Sequence, residues 1–145
     1  MFFIMNNYKD AHNYEALIEP ELSNTEIKQI EDNTVQAGIY NFIEDRCIKN
    51  IDVEKRPFHC VDDSRNKYLL YTGDRWKIDK NAADIIDTAR DKVKMVYDTE
   101  IVRGQKMSEI DERLDKIGEL FDFEKKGRKK IVHELNKQTL VKNDL

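Results

Sequence analysis

The sequence predicts an α+β protein: a helix packed on a small three-stranded antiparallel sheet, followed by long amphipathic helices of coiled-coil type. Three observations predict it. Apolar residues recur at helical spacing on both sides of one short stretch, residues 56–79, where they instead cluster and alternate. That stretch is punctuated by two groups of turn formers, Asp62-Asp63-Ser64-Arg65-Asn66 and Gly73-Asp74. With Gly 5 and Pro 2 in 145 residues, neither a turn-rich all-β protein nor a flexible linker protein fits.

Residues 1–24 are polar and Asn-rich with one proline, Pro20, and are expected to be loosely ordered, docked through Phe2, Phe3 and Ile4. Helical signals begin at Asn24 or Thr25. Asn33-Thr34 can cap a helix running to about Asn50, because short oxygen-bearing side chains accept from the first free N–H groups of a helix. Its apolar residues Val35, Ile39, Phe42, Ile43 and Cys47 fall on one face. Phe58-His59-Cys60-Val61 is a short mixed run, and Lys67-Tyr68-Leu69-Leu70-Tyr71-Thr72 is aromatic and aliphatic, as strands are. Gly73-Asp74 turns into Arg75-Trp76-Lys77-Ile78-Asp79, and the alternation there places Trp76 and Ile78 on the covered face. Residues 25–80 thus form a helix-plus-meander module.

From Asn81 to the end the pattern is helical, and residues 81–145 are expected to be an oligomerisation region. Ala82, Ile86, Ala89, Val93 and Val96 recur at alternating spacings of four and three. Met107, Ile110, Leu114, Ile117 and Phe121 repeat the rhythm. Strict three-four alternation is a coiled-coil seam. The residues flanking the second seam, Glu109, Asp111, Glu112, Arg113, Asp115, Lys116 and Glu119, are charged. The stripe is therefore narrow and suits self-association better than burial within a monomer.

The apolar fraction is 39 % and the charged fraction 37 %. Such a balance implies a small core and a large charged surface. No apolar run approaches the roughly 18 residues of a membrane span. The opening Met1-Phe2-Phe3-Ile4-Met5 lacks the basic start of a secretory signal. Two cysteines cannot build a disulfide scaffold and fit a reducing compartment. The net charge of −4 hides a gradient: residues 1–50 carry four basic and nine acidic side chains, residues 101–145 eleven and nine. The basic excess sits in Lys125-Lys126-Gly127-Arg128-Lys129-Lys130. General nucleic-acid binders have pI values above about 9. Here the pI is about 5.5, so any such role is local.

Motifs for catalysis are weak. Zinc ligands arrive as closely spaced pairs, and His59 and Cys60, adjacent on a strand, point to opposite faces. Cys47 and Cys60 read as small core residues, and His59 as a surface or edge side chain; no metal and no cofactor is expected. Asp62 and Asp63 with Asp74, Asp79 and His59 could suggest a metal-dependent hydrolase, but Asp in turns bonds its own backbone. Phosphate-cradling and esterase motifs are absent from the sequence. A helix followed by a hairpin is also the order of winged-helix modules, with Lys67, Arg75 and Lys77 on the wing. That helix carries Glu44 and Asp45 against Arg46 and Lys49, a poor start for groove entry.

The block Lys55-Arg56-Pro57-Phe58-His59-Cys60-Val61-Asp62, then Arg65, the strand through Tyr71, and Asp74-Arg75-Trp76, resembles a segment recurrent in proteins of giant nucleocytoplasmic large DNA viruses of the mimivirus and phycodnavirus kind. In that group it follows a helix and an Asn-(Leu or Ile)-Asp turn, matched by Asn50-Ile51-Asp52. The likeness runs from Ile39 to Trp76, and this chain lacks the zinc finger that precedes the segment in longer relatives. The resemblance implies a viral protein made in an infected host cell, in the cytoplasmic viral factory or the virion, and brings no activity with it. The motif also has a structural reading: Arg56 pairs with Asp62 or Asp63, Pro57 starts an edge strand, and Trp76 closes the small core over Leu69 and Tyr71.

The function expected is non-enzymatic: a homo-oligomerising scaffold or adaptor that binds itself through Met107, Ile110, Leu114, Ile117 and Phe121 and binds other viral or host proteins, not membranes. The alternative is a nucleic-acid-binding protein using the wing and Lys125, Lys126, Arg128, Lys129 and Lys130. A small hydrolase built on Asp62, Asp63 and His59 is third.

Overall fold

In the computed structural model the chain is an α+β protein with a three-stranded antiparallel sheet in the order β1-β2-β3. The structure describes residues 1–102, 118–119 and 123–141, without the side chains of 96–102, 124 and 125. The elements are α1 (Phe2–Asn7), α2 (Tyr14–Ile18), α3 (Asn24–Asp32), α4 (Val35–Cys47), a 3-10 turn (Val53–Lys55), β1 (Phe58–Asp62), β2 (Lys67–Tyr71), β3 (Trp76–Lys80) and α5 (Ala83–Val102). A π turn, Phe123–Gly127, leads into α6 (Arg128–Thr139). Among the described residues no helix is long and apolar enough to cross a membrane.

The starts of α3 and α4 have a chemical cause. Ser23 and Glu26 form a reciprocal capping box on α3, and the Thr34 hydroxyl accepts from Ala37 N at the start of α4. α4 then buries Val35, Ile39, Phe42, Ile43 and Cys47. Each large side chain so buried contributes up to about 1.5–3 kcal/mol against the entropy of ordering it. α4 packs on α2, α3, α5 and α6 and forms the centre of the helical layer.

The sheet separates two cores. Register pairs Phe58 with Leu70 and Cys60 with Tyr68, so these four share one face and pack on the helical layer. His59, Leu69 and Ile78 lie on the other face, as do Tyr71 and Trp76. There α1 lays Ile4 over Leu69 and Val61, with Phe3, Tyr8 and Trp76 around them. Residues 1–24 are therefore more ordered than their polar composition suggests: Ile4, Tyr14 and Ile18 are buried, and the Tyr14 hydroxyl donates to Ile85 O at 2.5 Å. The Trp76 indole N–H donates to Tyr8 O at 3.1 Å, which ties α1 to the sheet.

Three expectations about the strands are corrected. Ile78 is 49 % exposed, because α1 covers the sheet only as far as Trp76 and β3 is an edge. Its neighbour Asp79, expected outside, is 4 % exposed. Ile78→Thr should accordingly shift stability by less than about 0.5 kcal/mol, as surface changes do. Urea unfolding would check this, and a loss above about 1 kcal/mol would place Ile78 back under cover. His59, expected at the surface, is 1 % exposed and lies between Tyr8 and Trp76, with ring centroids 5.1 and 5.9 Å away.

The β2–β3 connection needs its glycine. Gly73 has φ +104, a left-handed conformation that glycine alone adopts freely. A Cβ there would also meet Asn13 Nδ2 at 2.8 Å. Asn13 in turn caps α2 by accepting from Glu15 N, so this hairpin seats directly on the start of α2.

Candidate functional site

α6 is held on the sheet by a part-buried polar chain. The Tyr68 hydroxyl donates to Asn136 Oδ1, and Asn136 Nδ2 donates to Asn66 Oδ1 at 2.8 Å. Cys60 N donates to Thr139 Oγ1 at 3.3 Å, and Val141 N donates to Cys60 O at 2.9 Å in a parallel bridge along the edge of β1. Burial raises the pKa of the Tyr68 hydroxyl, so it remains a donor. Burial also pushes the Cys60 thiol up to about 11 and raises Cys47 further. Both thiols are protonated at neutral pH, and nucleophilic chemistry needs the thiolate.

The residues of the motif from Lys55 to Trp76 are placed by the sheet and its turns. Pro57 precedes β1 and its carbonyl accepts from Tyr71 N at 2.8 Å. Arg56 does not reach for Asp62 or Asp63; its Nε donates to Ile51 O at 3.3 Å. Asp62 closes the β1–β2 turn, its Oδ1 accepting from Ser64 N, Ser64 Oγ and Arg65 N. These bonds hold the Asp62 carboxyl below its ordinary pKa, the Ser64 hydroxyl most of all. Arg65 is largely exposed, 3.8 Å from Asp62. Trp76 packs on Tyr71 and His59, the ring centroids 5.2 and 5.9 Å away. His59 and Cys60 point to opposite faces of the sheet, as strand geometry requires. Among the described residues no group of three or more His, Cys, Asp or Glu side chains is placed to hold a metal ion.

The basic run divides. Lys126, Lys129 and Lys130 are exposed, while Arg128 is half-buried, ion-paired with Asp87 and stacked over Phe123 at 5.6 Å. The side chain of Lys125 lies outside the described residues. The wing tip at Gly73-Asp74-Arg75 closes one end of β2, and the basic start of α6 faces the other, beside Asn66 and Asn81. Wing tip and cluster therefore do not share an end of the sheet.

What the start of α6 does share is a cleft of about 590 Å³. Asn66 and Asn81 line one part of it and Arg128, Lys129 and His133 another, with Ala83 and Val132 as its apolar lining. No acidic side chain among the described residues lines it. The basic run in the sequence points to Arg128 and Lys129, but sequence reasoning misses Asn66, Asn81 and Asn136. The signal of the first two is slight: an asparagine at the end of a strand or turn, where left-handed backbone is cheapest.

The seam residues Met107, Ile110, Leu114, Ile117 and Phe121 lie outside the described residues. The elements that flank them do not. α5 enters the main core through Ile85, Ile86, Ala89 and Val93, and α6 enters it through Ile131, Val132 and Leu135. Phe123 is buried there too, and Glu119 Oε2 accepts from Val35 N at 3.0 Å, at the first turn of α4. Comparison with protein-family models, with curated proteins and with solved structures yields no match.

Proposed function

We propose that this chain is a non-enzymatic scaffold or adaptor that self-associates through the seam sequence and binds other proteins. The observation that carries this reading is the anchoring of both flanks. α5 before the seam and Phe123 and α6 after it are tied to one core, and Glu119 within its last turn bonds Val35 N, so both flanks of the seam sequence rest on the same body. Two copies meeting there would be held at a defined separation, which is what a scaffold requires. The narrow apolar stripe between charged flanks supports pairing with an identical stripe. The likeness of residues 39–76 to the giant-virus segment supports a viral origin, with the cytoplasmic viral factory or the virion as its place of work and viral or host proteins as its partners.

The test is solution mass by light scattering on a sizing column. The wild-type chain should run as a defined oligomer above the 17.2 kDa of one copy. Leu114→Asp should return it to one copy while the near-ultraviolet signal of Trp76 stays native, because a charge buried in a seam is far more costly than one in water. A variant that keeps the wild-type mass would overturn the seam assignment.

A further inference from the structure

The end of the sheet away from Gly73 gathers three features. Lys67 stands opposite Lys80 across β2 and β3 and opposite Asp62 across β1 and β2, so the repulsion of its like-charged neighbour is offset by an acid on its other side. Asn66, Asn81 and Ala82 hold left-handed backbone, at φ 51, 59 and 52. For a buried alanine that conformation is strained, since its Cβ crowds the following carbonyl oxygen. The third feature is the cationic cleft beside them. Strained backbone such as that of Ala82 clusters at functional sites.

We propose that this cleft binds a nucleotide through its phosphate, independently of the self-association reading. Lys129, exposed, supplies the positive charge, and Arg128, ion-paired with Asp87, adds a guanidinium whose fork suits phosphate geometry. Arg128 is set in advance by Asp87 on one side and the Phe123 ring on the other, so little order is lost on binding. Asn66 is set as well: its Oδ1 takes the Asn136 amide and its carbonyl takes Asn81 N at 2.7 Å. Asn66 Nδ2 remains a donor, and the Asn81 carboxamide, on an exposed residue, adds a donor and an acceptor. Carboxamides of this kind match the paired donor and acceptor on a base edge.

Size and lining choose the nucleotide over a bare anion. The cleft, at about 590 Å³, is far larger than one phosphate group. It falls in the middle of the small-ligand range, roughly 300–1000 Å³. Ala83 and Val132 give the ring an apolar surface. The nucleotide can arrive free or as one unit of a single strand. In the second case the neighbouring phosphates meet Lys67 and Lys80, which stand on the far face of the same sheet end.

The full chain is titrated by calorimetry with adenosine monophosphate, with inorganic phosphate, and with a short single-stranded oligonucleotide, at low and at physiological salt. Saturable binding of the mononucleotide, about tenfold or more tighter than inorganic phosphate, is the expected result. Lys129→Glu should weaken it about tenfold, the order of one lost charged contact. Lys137→Glu, the same charge change on an exposed residue further along α6, should leave it unchanged, and both variants should keep the wild-type melting temperature. Oligonucleotide binding that Lys67→Glu also weakens assigns the strand as source; insensitivity to Lys67→Glu assigns the free nucleotide. Equal losses in Lys129→Glu and Lys137→Glu, phosphate binding as tight as the nucleotide, or no binding of any probe would overturn the proposal.

Discussion

Replacing Arg46 with alanine should remove about 3 kcal/mol, the order of losing several hydrogen bonds from one charged, part-buried group. That is a large part of a total stability of roughly 5–15 kcal/mol. Arg46 Nε and Nη2 donate to the two Glu26 oxygens, both at 2.8 Å. Nη1 donates to the carbonyls of Leu17, Ile18 and Pro20, and Nη2 to that of Glu21. The guanidinium also lies over Phe42, 4.8 Å from the ring centroid. One side chain thus satisfies the end of α2, the loop through Pro20 and the capping box of α3. Arg46→Lys should fail nearly as badly, since an ammonium has no planar fork. The loss carries a pH signature. Hydrogen bonding to Arg46 lowers the Glu26 pKa from its ordinary 4.5. A depressed carboxyl contributes stability above its unfolded value and loses it as the pH falls through the folded one. The gap between wild type and Arg46→Ala in urea should therefore be full at pH 7 and shrink below about 4.5. A gap constant from pH 7 to pH 3 would mean that packing on Phe42, not charge, sets the cost.

Asp79→Ala is the second large effect, about 2–4 kcal/mol from two N–H groups left without acceptors. Asp79 Oδ1 accepts from Asp84 N at 3.0 Å and Oδ2 from Ile85 N at 3.1 Å, so a strand residue caps the helix that follows it. Asp79→Ser should recover part of the loss, because a hydroxyl can still cap. The pH signature here is reversed. Burial raises the Asp79 pKa above its ordinary 3.8, more than the two backbone bonds lower it. A raised carboxyl costs stability as the pH climbs from the unfolded value to the folded one. Asn cannot ionise, so the deficit of Asp79→Asn relative to wild type should narrow as the pH rises from about 3.8 toward neutrality. A deficit that widened over that range would show that the carboxylate is the favoured form in the fold.

These two residues also mark where sequence reading stops. The meander is legible because strand alternation and turn formers are local signals, and β1, β2 and β3 lie within the stretch that carries them. The helix after Thr34 is legible through its cap and its stripe. Arg46 is not: a cation in the last turn of a helix reads as a solvated charge, and its carbonyl partners stand 25–29 residues earlier in a stretch without periodicity. Asp79 reads as a turn former, since nothing in β3 announces that α5 will begin against its carboxylate. Ile78 shows a different limit. Alternation says which residues share a face, but the extent of cover comes from α1, at the far end of the sequence from β3. Of the cleft, the cations are visible as a run. The asparagines opposite them become recognisable only through backbone angles that sequence does not display.

α6 and the strand bridge at Cys60 and Leu140 also set the order of events during synthesis. The main core takes Phe123, Ile131, Val132 and Leu135 from the last part of the described chain, and the small core takes Val141. Neither core is complete until these residues have left the ribosome, although Ile4, the other end of the small core, emerges first. At roughly 5–20 residues per second, the nascent chain exposes an unfinished sheet, including the bare edge of β1, for several seconds. A chain stopped or cut before residue 123 would leave both cores open and that edge unpaired, in a state prone to join its neighbours.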